Sequence, residues 1–125
     1  MTASMRLELI PLPCTDVDAA KAFYVDRVGF GVDHDVEPGN GMRVVQLTPP
    51  GSACSVVIGV GISDPEAPRV RGLHLVVDDL PDVRRTLLER GVEVSDVDDL
   101  GGVLYAHFED PDGNGWTLQQ VPAHP

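Results

Sequence analysis

The alternation of apolar and polar positions divides the chain into two similar sets of elements. Leu7-Glu8-Leu9-Ile10-Pro11-Leu12-Pro13-Cys14 reads as a strand. Its two prolines delete two amide donors, so one flank of that strand should be unpaired or edge-like. Thr15-Asp16 then supplies a helix cap, and Val17, Ala20, Phe23, Tyr24 and Val28 recur at helical spacing until Gly29 ends the helix. Three extended pieces are expected next, over residues 30–36, 42–48 and 53–60. Turn clusters separate them, first Glu37-Pro38-Gly39-Asn40-Gly41 and then Pro49-Pro50-Gly51-Ser52. A loop over residues 63–69, rich in Asp, Pro and Glu, leads to the second set. There a strand over residues 72–77 precedes a helix capped by Asp79, carrying Leu80, Val83, Leu87 and Leu88 and stopped by Gly91. Residues 92–94, roughly 103–109 and 116–121 read as extended, and Asp110-Pro111-Asp112-Gly113-Asn114 turns between the last two.

Both sets follow the order strand, helix, strand, strand, strand, and their landmarks keep a nearly constant offset. The caps Asp16 and Asp79 lie 63 residues apart, as do Leu12 and Leu75, and Cys14 and Val77. Gly29 and Gly91 lie 62 apart, and so do Pro49-Pro50-Gly51 and Pro111-Asp112-Gly113. An internal duplication of this kind is a statement about fold. The expectation is an α+β chain of two βαβββ modules, residues 6–62 and 71–121, joined by a linker over 63–70. A single βαβββ unit has a half-open sheet, so two units should pair as a concave mixed sheet around a cleft.

The chain has 125 residues, 42% of them hydrophobic and 23% charged, which suits one globular domain. Nine basic residues against twenty acidic ones give a net charge of −11. Such a field repels phosphate backbones and anionic lipid, so neither nucleic acid nor a membrane is expected as a partner. No apolar run approaches the roughly 20 residues of a membrane helix. The first six residues lack the basic-then-apolar pattern of a signal peptide, so the reading is cytoplasmic. Cys14 and Cys54 each lie in an apolar stretch away from other ligand types and read as reduced core residues.

Other chemistry-bearing residues have plain readings. His34, between Asp33 and Asp35, reads as a solvated strand-end residue, and His124 as part of a frayed tail. Asp96, Asp98 and Asp99 lack calcium-loop spacing and read as a solvated loop. Ser52 and Ser55 lack the context of a hydrolase nucleophile. Trp116 alternates out of phase with Thr117 and reads as core, while Arg43 and Gln46 fall on opposite faces of one strand.

These residues carry a family likeness. The first strand with Thr15-Asp16-Val17-Asp18-Ala19-Ala20-Lys21-Ala22-Phe23-Tyr24, the helix exit Val28-Gly29-Phe30 and the turn Asp110-Pro111-Asp112-Gly113-Asn114 resemble the vicinal oxygen chelate superfamily. That superfamily includes glyoxalase I, extradiol dioxygenases and bleomycin-resistance proteins. The resemblance implies paired βαβββ modules, a small-molecule site on a concave sheet, and a homodimer. It also implies a divalent metal held by a His seven residues before each capping Asp and a Glu four residues after each turn Gly. Carried over, those positions are Leu9, Gly72, Ser55 and Thr117, which make no transition-metal ligand set, so no metal and no cofactor are expected.

A different site follows from strand parity around those positions. His74 shares a face with Gly72, His107 lies opposite in phase to Phe108, Tyr105 shares the face of His107, and Gln119 shares that of Thr117. His74, His107, Tyr105, Thr117 and Gln119 are therefore the candidate ligand-binding residues. The expected function is metal-independent binding or sequestration of a small organic molecule. The competing reading is a lyase, isomerase or dioxygenase-type enzyme, using a metal relocated to His74 and His107 or one of these as an acid/base.

Overall fold

A computed structural model describes residues 3–122. The chain divides into two compact units between Pro68 and Arg69, inside the stretch read as a linker. Each unit carries one four-stranded mixed sheet with a helix on one face, so the chain is α+β. His124 lies outside the described residues.

In module one the strands are β1 (Leu9–Pro11), β2 (Gly31–Gly39), β3 (Met42–Thr48) and β4 (Ser55–Val60), in the sheet order β1-β4-β3-β2. β1 runs parallel to β4 at the sheet edge, which is where a strand containing Pro11 can sit without orphaning a ladder position. It is shorter than the eight residues its apolar pattern suggested, because the prolines limit the ladder. Its last bond is donated by the Leu12 amide to the Val57 carbonyl, at 3.0 Å. β2 is longer than expected. Glu37, Pro38 and Gly39 belong to the strand, and only Asn40 and Gly41, both at positive φ, make the turn into β3.

The helix α1 (Val17–Ala22) starts where the Ala19 amide donates to the Asp16 carboxylate at 3.0 Å, and continues as a π-helical segment, Phe23–Val28. Gly29, at φ 99°, closes it in the left-handed region, with its amide donating to the Tyr24 carbonyl. Tyr24 is fully buried, edge-on to Phe23 and stacked on Phe30, with both centroid distances 5.3 Å. α1 covers the face bearing Val45, Leu47, Val56 and Ile58, all buried. The opposite face, with Val44, Gln46, Thr48, Ser55 and Val57, carries no helix of this module. Gly59 is required where it stands, since a Cβ there would fall 1.9 Å from the Arg43 carbonyl oxygen.

Module two repeats this plan with β5 (Leu73–Val76), β6 (Asp98–Leu100), β7 (Val103–Glu109) and β8 (Gly115–Gln120), in the order β5-β8-β7-β6. The helix α2 (Leu80–Glu89) begins with Asp79 accepting from the Asp82 amide, and Gln120 on β8 accepts from the Leu80 amide at 2.6 Å. Leu80 and Leu87 are buried, contributing about 2 kcal/mol each. The α2 face of the sheet carries Ala106, Phe108, Trp116 and Leu118, with the Phe108 and Trp116 rings near parallel at 6.3 Å. Trp116 is core.

Two expectations about strands fail in this module. Residues 92–94 form no strand, because Val92 is buried as a single apolar anchor and sheet pairing begins only further on. Asp98 and Asp99, read as a solvated loop, lie instead in β6, paired with Tyr105 and Leu104. Their carboxylates are compatible with an edge strand whose side chains reach water.

The Asp110–Asn114 turn is a structural knot. Asn114 is fully buried; its amide nitrogen donates to Asp110, as does its backbone N–H, and its carbonyl accepts from the Val70 amide at 3.0 Å. The Gly115 amide donates to the Val70 carbonyl, and Arg69 Nε to the Asp112 carbonyl, each at 2.8 Å. The turn thus pins the chain entering module two, and its side chains are spent on that task.

A second polar cluster clasps α1 to its sheet. Arg43 donates to Asp35 through Nε and Nη2, at 3.1 and 3.0 Å, and to Asp18 at 2.7 Å, while Lys21 donates to Asp35 at 2.6 Å. The Arg43 hydrogen bonds, then that of Lys21, hold the Asp35 carboxyl well below the usual carboxylate range, and Asp35 and then Asp18 push the Arg43 guanidinium up. A depressed folded value means the clasp stabilises fully above the unfolded carboxylate value of about 3.9 and fades as pH falls below it. Asp35→Asn should therefore melt at a lower temperature than wild type at pH 7, and the gap should shrink steadily below about pH 4. Melting curves from pH 7 to pH 2 test this; a gap that stays constant with pH would refute it.

Candidate functional site

Since α2 occupies one face of the module-two sheet, the pleat sends every alternate side chain to the other. All five sequence-derived candidates fall on that open face. His74 on β5 pairs with Thr117 on β8, and Thr117 with His107 on β7, so these three form one row across three strands. The next row is Val76, Gln119, Tyr105 and Asp98. Thr117, the central member, is buried, whereas His74 and His107 are exposed and Tyr105 and Gln119 half-buried. Val76, 67% exposed, adds an apolar patch beside them.

The imidazoles are held by different partners. His74 Nδ1 lies 2.7 Å from the Gly72 carbonyl oxygen, which only accepts, so the neutral ring carries its proton there and offers Nε2 as an acceptor. His107 Nδ1 lies 3.0 Å from the Thr117 hydroxyl, and the His107 backbone amide donates to Ser95 Oγ at 2.8 Å.

Module one carries an equivalent row that the sequence reading did not single out. Leu9 pairs with Ser55, whose hydroxyl lies 2.6 Å from Thr48 Oγ1 and accepts from Gln46 Nε2 at 3.2 Å; Thr48 in turn donates to Asp33. Ser55 is buried. The only signal in the sequence was polar residues at alternate positions of two apolar strands, and nothing local tied Asp33 to them. A register shift after Val32 brings it there. His34, paired with Gln46, is exposed as expected. Cys14 is buried and Cys54 half-buried, and the two form no disulfide.

The strand registers also revise how the modules correspond. Val77 donates to the Gln119 carbonyl as Leu12 does to that of Val57, and His74 faces Thr117 as Leu9 faces Ser55. Counting back from the helix caps had matched Leu12 with Leu75 and Leu9 with Gly72. The two counts differ because module one inserts two more residues between strand and cap. By register, then, the second-module counterpart of Leu9 is His74.

A family metal would need a His and a carboxylate from these rows. The residues present are Leu9 and Ser55 in one module, and His74 and Thr117 in the other, with His107 beyond. His74 and His107 stand on strands separated by β8, about 10 Å apart at the backbone. Among the described residues, no three His, Cys, Asp or Glu side chains converge as a metal ligand set. The donor set does not fit the metal.

Two tandem βαβββ modules, each with a helix-covered face and an open polar one, define the class of protein. The chain belongs to the Glyoxalase/Bleomycin resistance protein/Dioxygenase superfamily, whose family profile matches residues 6–118. Among solved structures it is similar to TnmS3, an antibiotic binding protein from Streptomyces sp. CB03234, with 36% identity, 98% of this chain and 100% of that one covered, and a TM-score of 0.84. A glyoxalase/bleomycin resistance protein from the same strain is 37% identical, over 92% of this chain and 100% of that one, with a TM-score of 0.77. A superfamily member from Sphaerobacter thermophilus DSM 20745 is 27% identical, over 94% of this chain and 98% of that one, with a TM-score of 0.82. No curated protein matches the chain. No helix among the described residues is long and apolar enough to cross a membrane.

From the mismatch of donors, protein purified after metal supplementation should carry no stoichiometric transition metal. Elemental analysis checks this, and about one ion per chain, lost in His74→Ala, would overturn it.

Proposed function

We propose that this chain binds and sequesters a small organic molecule on the open face of module two, without a metal ion. One observation carries the reading. A row of hydrogen-bonding side chains, His74, Thr117 and His107, lies beside Tyr105, Gln119 and Val76 on a face that no helix of its module covers. Mixed apolar walls with a few placed polar groups suit an organic ligand. The 36% identity to an antibiotic binding protein across nearly the whole chain supports the same reading. Sequestration needs complementarity alone, so it survives the loss of metal ligands. The −11 charge favours a cationic or amphipathic molecule over an anionic one by raising its local concentration.

The competing enzymatic reading draws on the contact between His107 and the Thr117 hydroxyl. A base acting on a hydroxyl is normally oriented by a third group, and among the described residues no carboxylate bonds the His107 ring. The binding reading is therefore preferred.

We further propose a cytoplasmic protein and, since β1 and β5 leave a sheet edge in each module, a homodimer. Sedimentation should give twice the chain mass of 13.4 kDa; 13.4 kDa at all practical concentrations would contradict it. For the ligand site, a thermal-shift screen of aromatic cations, glycopeptides and oxo-acids should yield stabilising compounds. A ligand at a hundredfold over its Kd adds about 2.7 kcal/mol. His74→Ala and Thr117→Val should cut the shift; hits indifferent to both variants would place binding elsewhere. Binding confined to metal-chelating dicarbonyls or catechols would favour the enzyme.

A further inference from the structure

The hydrogen-bond chain on the open face of module one has a direction, and its direction sets what it shows to a ligand. Asp33 ends the chain as a carboxylate, which only accepts. Thr48 has one hydroxyl proton and donates it to Asp33. In the 2.6 Å contact between Thr48 and Ser55, Ser55 must therefore be the donor. With its own proton committed, Ser55 Oγ can only accept from Gln46, so the group of Gln46 that faces it, at 3.2 Å, is the nitrogen. The charge of Asp33 thus fixes, through two hydroxyls, which way the Gln46 carboxamide points.

This leaves Gln46 Oε1 and one Nε2–H without a partner among the described residues. No side-chain nitrogen or oxygen there is both buried and unpartnered, so Oε1, which has no partner, reaches solvent. Ser55, at 5% exposure, keeps the anchor away from competing water. A free carboxamide turns over to suit either polarity of partner, whereas this one is held. An acceptor and a donor on one rigid plane are complementary to the N–H and C=O of another amide.

We infer that Gln46 is a specificity-determining residue on the open face of module one that reads an amide or lactam group of a small molecule, with Ser55, Thr48 and Asp33 as its positioning residues. This rests on the reading of the chain as a small-molecule binder and names the chemical class that the face of module one selects. Removing the ligand N–H leaves Oε1 facing a methyl group, so N-methylation should be strongly disfavoured.

The test uses δ-valerolactam and N-methyl-δ-valerolactam as probes on the full ¹⁵N-labelled chain. The Gln46 side-chain amide resonance is assigned by its loss in Gln46→Glu and followed by NMR titration. The lactam should move that resonance saturably, and the N-methyl analogue should need about tenfold more. Ser55→Ala and Thr48→Val, which cut the chain at different links, should each reduce the preference to about twofold or less. The inference is overturned by no saturable movement, by equal affinity for the two probes, or by an unchanged preference in both variants. If the variants do not fold, the comparison of the two probes on wild type decides alone. Thermal-shift ligands that bind while the lactam leaves Gln46 unmoved would end this inference and leave the binding function standing. A selective Gln46 response without any hit in the thermal screen would do the reverse.

Discussion

One constraint organises both modules: a helix occupies one face of each four-stranded sheet, and the pleat then sorts every strand residue into two sets. On the covered side stand Val45, Leu47, Val56 and Ile58 in module one, and Ala106, Phe108, Trp116 and Leu118 in module two, all buried. The open side receives what is left, Gln46, Thr48 and Ser55, and His74, Tyr105, His107, Thr117 and Gln119. A one-residue slip would exchange the two sets and put imidazoles under a helix. The core therefore fixes the make-up of the open face, because the register that buries one face decides what the other displays.

The polar groups divide by task. Asp110 and Asn114 tie down the entry to module two, and Asp35, Arg43, Asp18 and Lys21 clasp α1 to its sheet. These are among the densest polar contacts in the chain, and none lies on an open face. On the open faces the networks are sparser and end at groups that still have bonding capacity, Gln46 in one module and the outer ring nitrogens of His74 and His107 in the other. Saturated networks hold a fold, while unsaturated ones at a solvent-facing surface are available to a ligand.

The hydroxyls of Ser55 and Thr117, at equivalent places in the two rows, also set what those rows can do. A carboxylate there would bring charge for a metal; a hydroxyl donates one proton and accepts two. In both modules that hydroxyl is tied to a neighbouring strand, Ser55 to Thr48 and Thr117 to His107. The two modules thus repeat one hydrogen-bonding plan, a hydroxyl tied across the sheet in each, although the residue types beside it differ.

The sequence by itself determined the α+β class, the two βαβββ units, both helix caps and the face shared by His74, His107, Tyr105, Thr117 and Gln119. Each of these depends on residues close together in the chain, through capping, glycine at positive φ and period-two alternation. Tertiary structure alone decided three other things. β6 forms at Asp98–Leu100 and not at residues 92–94, because an edge strand is defined by its partner β7 and not by its own apolarity. His74 stands across from Thr117 because parallel pairing across a helical crossover sets that register, and counting from the cap cannot see two residues missing in between. Asp33 reaches Thr48, and through it Ser55 and Gln46, because β2 is irregular just after Val32. Local chemistry writes a short-range pattern, whereas a pairing between distant strands is settled only when the whole sheet closes its hydrogen bonds.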